Sequence, residues 1–144
     1  MIVVLFGQPH CGKSTLAKLL PYYRNIDGDE LRALFVNKDY SREGRIRNLN
    51  RASDIAHYLN SIGKDVALSL VYPYKEARDY LNSLTDNVAW VYLTYEGERG
   101  RENFHVKDFE IPEKEAILHI DTSTTSIEDS VNKILEYVGA KNSR

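Results

Sequence analysis

Cysteine is scarce in this chain of 144 residues, which contains Cys11 and no other. A disulfide within the chain is therefore excluded, and a reducing compartment such as the cytoplasm is the simplest expectation. Long apolar runs are also missing. The opening MIVVLF ends at Gly7, so it is too short for a signal segment or a membrane span, and no membrane association is expected.

An excess of charge of one sign is missing as well, because 19 Lys and Arg residues stand against 21 Asp and Glu residues, for a net charge of −2. This balance argues against a protein that binds nucleic acid through bulk positive charge, so nucleic acid is not an expected partner. The four histidines match no metal-ligand spacing. With 42% hydrophobic residues, positions 1–144 are expected to form one domain with a substantial core.

Apolar strands and amphipathic helices alternate along the chain. Strands are predicted at residues 2–6, 24–27, 65–72, 88–95 and 116–121, and helices at 14–20, 30–36, 41–62, 74–84 and 126–138. Ser41 and Ser126 are expected to cap helices, and Gly63 is expected to end one. The alternation predicts an α/β domain of three layers, with a mainly parallel five-stranded sheet flanked by helices.

The strongest motif directly follows the first predicted strand. Residues 7–14 read GQPHCGKS and match G-x-x-x-x-G-K-[ST] at every fixed position. Backbone N–H groups of such a loop, and the positive end of the next helix, bind phosphates. Lys13 should reach the β- and γ-phosphates of ATP, and the Ser14 hydroxyl should hold Mg²⁺. The predicted ATP-binding residues here are Gly7, Gln8, Pro9, His10, Cys11, Gly12, Lys13, Ser14 and Thr15.

Asp27 and Asp29 flank a glycine directly after the second predicted strand. Beside a phosphate loop, one of the two carboxylates can accept the proton of an acceptor hydroxyl, and Asp27 can hold Mg²⁺ through water. The alternative is a turn in which an aspartate simply caps the following helix. Together with Lys13, these aspartates are the predicted catalytic residues.

Arginines cluster near the start of the long predicted helix. Arg45 shares a helix face with Asn48, and Arg32 lies on the helix before. Arginine favours bidentate binding of phosphate or sulfate, although a solvated basic face is the alternative. Arg99 and Arg101 lie in the polar stretch 97–114, where they either close over the triphosphate as charge stabilisers or merely solvate the loop.

The order of these motifs resembles the adenylylsulfate kinase (APS kinase) family. That family carries a P-loop, then DGDxxR, FSxEDRxxNIRR and ISPYxxxR. This chain reads GKSTLA, DGDELR, YSREGRIRNLNR and YPY followed by Arg78, over about residues 3–80. More loosely, NFHVKDFEIP at residues 103–112 is similar to the family's lid, in a shortened form.

This resemblance implies a kinase that uses ATP and Mg²⁺ to phosphorylate the 3′-hydroxyl of adenylylsulfate in sulfate assimilation, and it implies a homodimer. Two alternatives stay open. The same scaffold could act on another hydroxyl, of a nucleotide, a hydroxymethylated base or another small molecule, or the chain could be a nucleotide-binding regulatory module. The residues that the resemblance places on the acceptor side are Asp29, Arg32, Tyr40, Arg45, Asn48, Tyr72 and Phe104, with Phe104 stacked on the adenine.

Overall fold

The computed structural model describes residues 1–9, 11–96, 106–113 and 117–142. Its first strand, β1 (Ile2–Phe6), is buried along its whole length, as expected for an apolar run in a parallel sheet that is covered on both faces. The even-numbered β1 side chains enter one hydrophobic cluster and the odd-numbered ones enter another. The sheet therefore lies between two layers of helices.

Five strands and five helices are formed by the described residues, and every strand pairing is parallel. The order across the sheet is β2-β3-β1-β4-β5. This confirms the predicted three-layer α/β fold with a five-stranded sheet. The strands after β1 are β2 (Arg24–Asp27), β3 (Val66–Ser69), β4 (Val88–Thr94) and β5 (Leu118–Asp121), and the helices are α1 (Lys13–Leu19), α2 (Gly28–Phe35), α3 (Arg42–Ser61), α4 (Lys75–Leu84) and α5 (Ile127–Asn142).

Each face of the sheet has its own set of helices. The cluster on the even-numbered side of β1 includes apolar residues of α2, α3 and α4, such as Leu31, Leu49 and Leu81. The cluster on the other side includes Leu16 of α1 and Ile134 of α5. Among the described helices, none is long and apolar enough to cross a membrane.

The caps of the helices agree closely with the sequence. The Ser41 hydroxyl accepts a hydrogen bond from the N–H of Gly44 at 3.2 Å and starts α3. Ser126 accepts one from the N–H of Asp129 at 3.1 Å ahead of α5. Gly63 follows the end of α3 with a φ of 89°, a left-handed conformation that favours glycine. These predictions are confirmed, since a cap depends on neighbouring residues alone.

Several predicted boundaries were wrong: α5 runs to Asn142 and not to residue 138, and two other differences have clear physical reasons. The third strand was expected to reach residue 72, but β3 ends at Ser69, where its pairing with Asp27 of β2 also ends. Beyond it the chain turns, with Tyr72 at a φ of 45°. The second helix was expected from residue 30, but α2 begins at Gly28 because the Asp27 carboxylate caps it.

Candidate active site

The phosphate loop joins the carboxyl end of β1 to α1, and its two glycines are required for different reasons. A Cβ atom at Gly7 would lie 2.2 Å from the carbonyl oxygen of Leu93 in β4, which is far inside contact distance. Gly12 has a left-handed φ of 98° at the start of α1. The motif spacing therefore corresponds to a close approach at one end of the loop and a tight turn at the other.

Lys13 is buried although it carries a cationic group. Its Nζ donates hydrogen bonds to the carbonyl oxygens of Gly7 at 3.2 Å and of Gln8 at 2.9 Å, and it lies 3.7 Å from Sγ of Cys11. Burial lowers the pKa of Lys13, and interactions with Cys11, Asp27 and Asp29 partly oppose that change. Burial also raises the pKa of the Cys11 thiol, which argues against a nucleophilic role for it.

The predicted magnesium ligands are in direct contact. The Ser14 hydroxyl donates to Oδ2 of Asp27 at 2.7 Å, and the Ser69 hydroxyl donates to the same oxygen at 3.3 Å. The other carboxylate oxygen of Asp27 accepts the N–H of Asp29 at 2.9 Å. Hydroxyl and carboxylate oxygens are the hard donors that Mg²⁺ prefers, so this exposed pair fits the ion. Thr15, the remaining predicted residue of this helix turn, is exposed next to Ser14.

An open cleft of about 300 Å³ lies just beyond Asp27, between α2 and the loop that follows it. Asp29, exposed on the first turn of α2, lines the cleft, and its carboxylate has no hydrogen-bond or ion-pair partner among the described residues. The structure thus gathers three of the predicted acceptor residues in one place. The full lining is Asp29, Arg32, Ala33, Val36, Asn37, Lys38 and Tyr40.

Arg32 and Tyr40 are stacked in this cleft. The guanidinium carbon of Arg32 lies 4.2 Å from the centre of the Tyr40 ring. Nη1 of Arg32 donates to the carbonyl oxygen of Asp39 at 3.1 Å and to that of Asn37 at 3.4 Å. The Tyr40 side chain is nevertheless 61% exposed. Arg32 therefore shapes the loop as well as supplying charge, and Tyr40 retains ring surface on which a base can stack.

The loop after α2 packs tightly against the start of α3. A Cβ atom at Gly44 would lie 2.3 Å from Cγ of Asp39, so this approach requires glycine. The Asn37 amide donates to the carbonyl oxygen of Gly44 at 3.1 Å, and Arg47 pairs with Asp39 at 2.7 Å. Hydrogen bonds from Ser41, assisted by Arg47, hold the pKa of Asp39 below its usual value. These contacts fix the wall of the cleft on the α3 side.

Arg45 and Asn48 lie one turn apart on α3 and are not part of the cleft lining. Asn48 is 3% exposed, and its Oδ1 has no hydrogen-bond partner within the described part of the chain. The half-buried Arg45 guanidinium is also unpaired in that part. A buried polar atom without a partner is uncommon and needs an explanation such as a ligand. Arg45 can therefore reach an acceptor from the surface, whereas Oδ1 of Asn48 is a buried hydrogen-bond acceptor that lacks a partner within the described residues.

The structure contradicts the acceptor role predicted for the side chain of Tyr72. Its ring is fully buried, 5.5 Å from that of Trp90, and its hydroxyl is 2.8 Å from Oγ of Ser53 in α3. Burial raises the pKa of Tyr72. Tyr72 is therefore a core residue, with its ring in apolar contact and its hydroxyl hydrogen-bonded. The sequence around Pro73 contains no pattern that predicts this burial.

Four predicted site residues lie outside the described residues, so their roles stay predictions. They are His10 in the phosphate loop, Arg99 and Arg101 as possible triphosphate contacts, and Phe104 as the adenine contact.

Sequence reasoning missed the contacts that hold the phosphate loop in place. The Gln8 side chain makes two hydrogen bonds to the backbone of Val106, and the Thr122 hydroxyl donates to the carbonyl oxygen of Cys11 at 2.9 Å. Arg78, noted only as a motif residue, donates to the carbonyl oxygen of Glu110 at 2.7 Å. Each of these partners is distant in sequence, so no local pattern could reveal them.

The phosphate loop and the adjoining cleft place the donor and the acceptor of a phosphoryl group side by side, which is the arrangement of a P-loop kinase. Within that class, the chain belongs to the adenylylsulphate kinase family, whose model matches residues 1–102.

Individual relatives and a solved structure are similar to much of this chain. An adenylyl-sulfate kinase of Staphylococcus carnosus is 27% identical over 92% of this chain and 80% of its own length. A cytidine diphosphoramidate kinase of Campylobacter jejuni is 31% identical over 64% of this chain and 59% of its own length. An APS kinase of Mycobacterium tuberculosis, solved with AMPPNP and APS, superposes with a TM-score of 0.83 and 19% identity over 96% of each chain, which supports the fold.

Proposed function

We propose that this chain transfers the γ-phosphoryl group of ATP to the 3′-hydroxyl of adenylylsulfate, a reaction of sulfate assimilation. The observation that carries the proposal is the 2.7 Å hydrogen bond between Ser14 and Asp27. It joins the phosphate loop to the start of α2, whose first turn directs Asp29 to the acceptor cleft. Membership of the adenylylsulphate kinase family and the relative from Staphylococcus carnosus supply the identity of the acceptor.

The donor side is formed by residues 7–15. Backbone N–H groups of the loop and the amino end of α1 bind the triphosphate, and the Lys13 ammonium group, now bonded to loop carbonyls, is within reach of phosphate oxygens. Mg²⁺, when bound, neutralises charge on the β- and γ-phosphates, and Ser14 and Asp27 would hold it.

On the acceptor side, Asp29 and not Asp27 is suited to act as the general base. Both carboxylate oxygens of Asp27 are already engaged, one by the N–H of Asp29 and one by Ser14. The Asp29 carboxylate is unpaired among the described residues and faces the cleft, so it accepts the proton of the acceptor hydroxyl. The hydroxyl oxygen forms a bond to the γ-phosphorus, the bond from that phosphorus to the bridging oxygen breaks, and ADP leaves.

Recognition of the acceptor divides between the cleft and α3. Tyr40 offers ring surface to the base, and Arg32 offers charge beside it. The Arg45 guanidinium can donate to the sulfate or phosphate of the acceptor, and the unpaired Oδ1 of Asn48 can accept from a ribose hydroxyl.

A second candidate keeps the donor chemistry and changes the acceptor. It is favoured by the relative from Campylobacter jejuni, which is 31% identical over 64% of this chain and is named a cytidine diphosphoramidate kinase. A cleft bounded by Tyr40, Arg32 and Lys38 would also suit another nucleotide with an anionic group. We therefore propose a cytidine nucleotide as the alternative acceptor.

The test supplies ATP, Mg²⁺ and one acceptor at a time, and it follows ADP release. The panel contains adenylylsulfate, cytidine diphosphate derivatives, simple sugars and a buffer blank. Turnover highest with adenylylsulfate supports the first candidate, and turnover highest with a cytidine nucleotide supports the second. Tight ATP binding with no turnover on any acceptor would favour a regulatory nucleotide-binding module and would contradict both.

The assembly and location of the protein belong to the same proposal. A homodimer is proposed from the family resemblance, and sedimentation at several concentrations would test it. A cytoplasmic location is consistent with a single cysteine that is buried and unpaired.

A further inference from the structure

The side chain of Gln8 pairs with the backbone of a residue that is far away in the sequence. Its Nε2 donates to the carbonyl oxygen of Val106 at 2.9 Å, and its Oε1 accepts the N–H of the same residue at 2.8 Å. Both hydrogen-bonding groups of the carboxamide are therefore used by a single residue. Val106 is buried, so water competes poorly for these two bonds.

The chain around Val106 is firmly attached to the rest of the fold. In the 106–113 segment, the N–H of Glu110 donates to the carbonyl oxygen of Pro73 at 2.7 Å, and its carbonyl oxygen accepts from Arg78 at 2.7 Å. The Glu110 carboxylate accepts the N–H of Lys75 at 2.8 Å, at the start of α4. Gln8 therefore connects the phosphate loop to a fixed wall of the protein.

Aromatic contacts anchor the same segment on the sheet. The Phe109 ring stacks on Tyr92 of β4 at 5.9 Å, and the Tyr74 hydroxyl donates to Asp108 at 3.2 Å. Because Tyr92 also contacts Phe6 at the end of β1, the segment and the phosphate loop rest on the same part of the sheet.

The backbone of Gln8 also contacts the motif lysine. Its backbone carbonyl oxygen accepts the hydrogen bond from Nζ of Lys13 at 2.9 Å. The opposite end of the loop is held separately, since the Thr122 hydroxyl lies 2.9 Å from the carbonyl oxygen of Cys11 and shares its proton between that oxygen and the carbonyl oxygen of Thr94. The loop is therefore held by Gln8 near one end and by Thr122 near the other, on either side of the site where the triphosphate is proposed to bind.

We infer that Gln8 is a positioning residue for ATP: its side chain, paired with the backbone N–H and carbonyl oxygen of Val106, holds the phosphate loop in the shape that binds the triphosphate. The Gln8 carboxamide acts through the loop backbone and not by contact with the nucleotide. Preorganisation of this kind improves affinity by reducing the ordering that binding requires. The inference rests on ATP binding in the proposed function and is independent of the acceptor's identity.

The first test is Gln8→Met, which preserves side-chain length and removes both hydrogen bonds. We expect its affinity for a non-hydrolysable ATP analogue, measured by calorimetry, to fall about tenfold, because two partly buried hydrogen bonds are lost. The matched control is Asn60→Leu. The Asn60 carboxamide also donates one hydrogen bond, to the carbonyl oxygen of Lys64 at 3.0 Å, and accepts one, from the Asn87 side chain at 3.1 Å. It lies at the amino edge of the sheet, away from the phosphate loop. The control should lose thermal stability and keep wild-type affinity.

The second test is Gln8→Glu, which also covers the case in which Gln8→Met does not fold. When the introduced carboxyl group is ionised, it can accept from the Val106 N–H but repels the Val106 carbonyl oxygen, whereas the protonated group can donate to that oxygen. The ratio of the variant's affinity to that of the wild type should therefore rise towards one as the pH falls.

Two results would overturn the inference while ATP still binds the wild type. One is wild-type affinity in a folded Gln8→Met variant, and the other is an affinity ratio for Gln8→Glu that does not change with pH. Failure of the wild type itself to bind the analogue would instead refute the proposed function.

Discussion

Replacing Asp27 separates two roles of one carboxylate. One oxygen caps α2 by accepting the N–H of Asp29 at 2.9 Å, and the other accepts the hydroxyl of Ser14 at 2.7 Å in the phosphate loop. Asp27→Asn keeps an oxygen for the cap but loses the charge and one acceptor. Asp27→Ala removes the cap and the contact to Ser14 together. Asp27→Asn therefore tests the catalytic role of the carboxylate with the helix cap intact, and Asp27→Ala shows what loss of the cap adds.

The expected magnitudes follow from these contacts. Loss of the cap in Asp27→Ala should cost about 1 kcal/mol of unfolding free energy, which corresponds to a fall in Tm of about 4 °C for a domain of this size. Asn is as good a cap as Asp, so Asp27→Asn should differ from the wild type by less than about 0.5 kcal/mol. Both variants should lose about a hundredfold or more in kcat, because the metal site loses its carboxylate.

The assay combines urea unfolding with ADP release at saturating ATP and acceptor. The reasoning requires that Asp27→Asn be stable and nearly inactive. If Asp27→Asn instead keeps kcat within about threefold of the wild type, a loss of less than about 1 kcal/mol in barrier terms, then Asp27 is only a helix cap and its assignment to the metal site is wrong.

Three further variants test other parts of the site. Lys13→Ala should abolish ADP release at any ATP concentration, because no other described cation occupies the phosphate loop; clear residual turnover would contradict this. Asp29→Asn should lower kcat about a hundredfold and leave KM for ATP unchanged, and an equal effect on both would remove its role as base. Tyr72→Phe should cost about 1 kcal/mol at neutral pH. Because burial raises the pKa of Tyr72 above the unfolded value of about 10, the folded state keeps a proton that the unfolded state releases. The wild type should therefore lose stability above about pH 10 more steeply than Tyr72→Phe, and parallel pH profiles would refute this.

The features that were predictable from sequence depend on neighbours in the chain. The buried strand β1, the glycine-bounded loop and the Ser41 cap each follow from a short pattern, and the structure contains all three. Asp27 is a mixed case. The helix cap is confirmed on one oxygen, while the other oxygen contacts Ser14 and its role in holding Mg²⁺ stays a prediction.

The features that were not predictable depend on contacts between distant segments. Tyr72 follows a strand, at a position where ligands commonly bind, yet its ring is in the core because α3 offers it a hydroxyl partner in Ser53. Gln8 occupies a variable position of the motif, and its partner Val106 is reached only after the sheet has formed. No pattern within a short window contains that information.

The most direct test of the account is the fate of the γ-phosphoryl group. ATP labelled in that group is incubated with Mg²⁺, adenylylsulfate and the protein, and the products are separated by chromatography. The account predicts that the label moves to the 3′-position of adenylylsulfate, with one ADP formed for each phosphorylated product. Label that appears only in free phosphate, or that transfers to a cytidine nucleotide and not to adenylylsulfate, would contradict it.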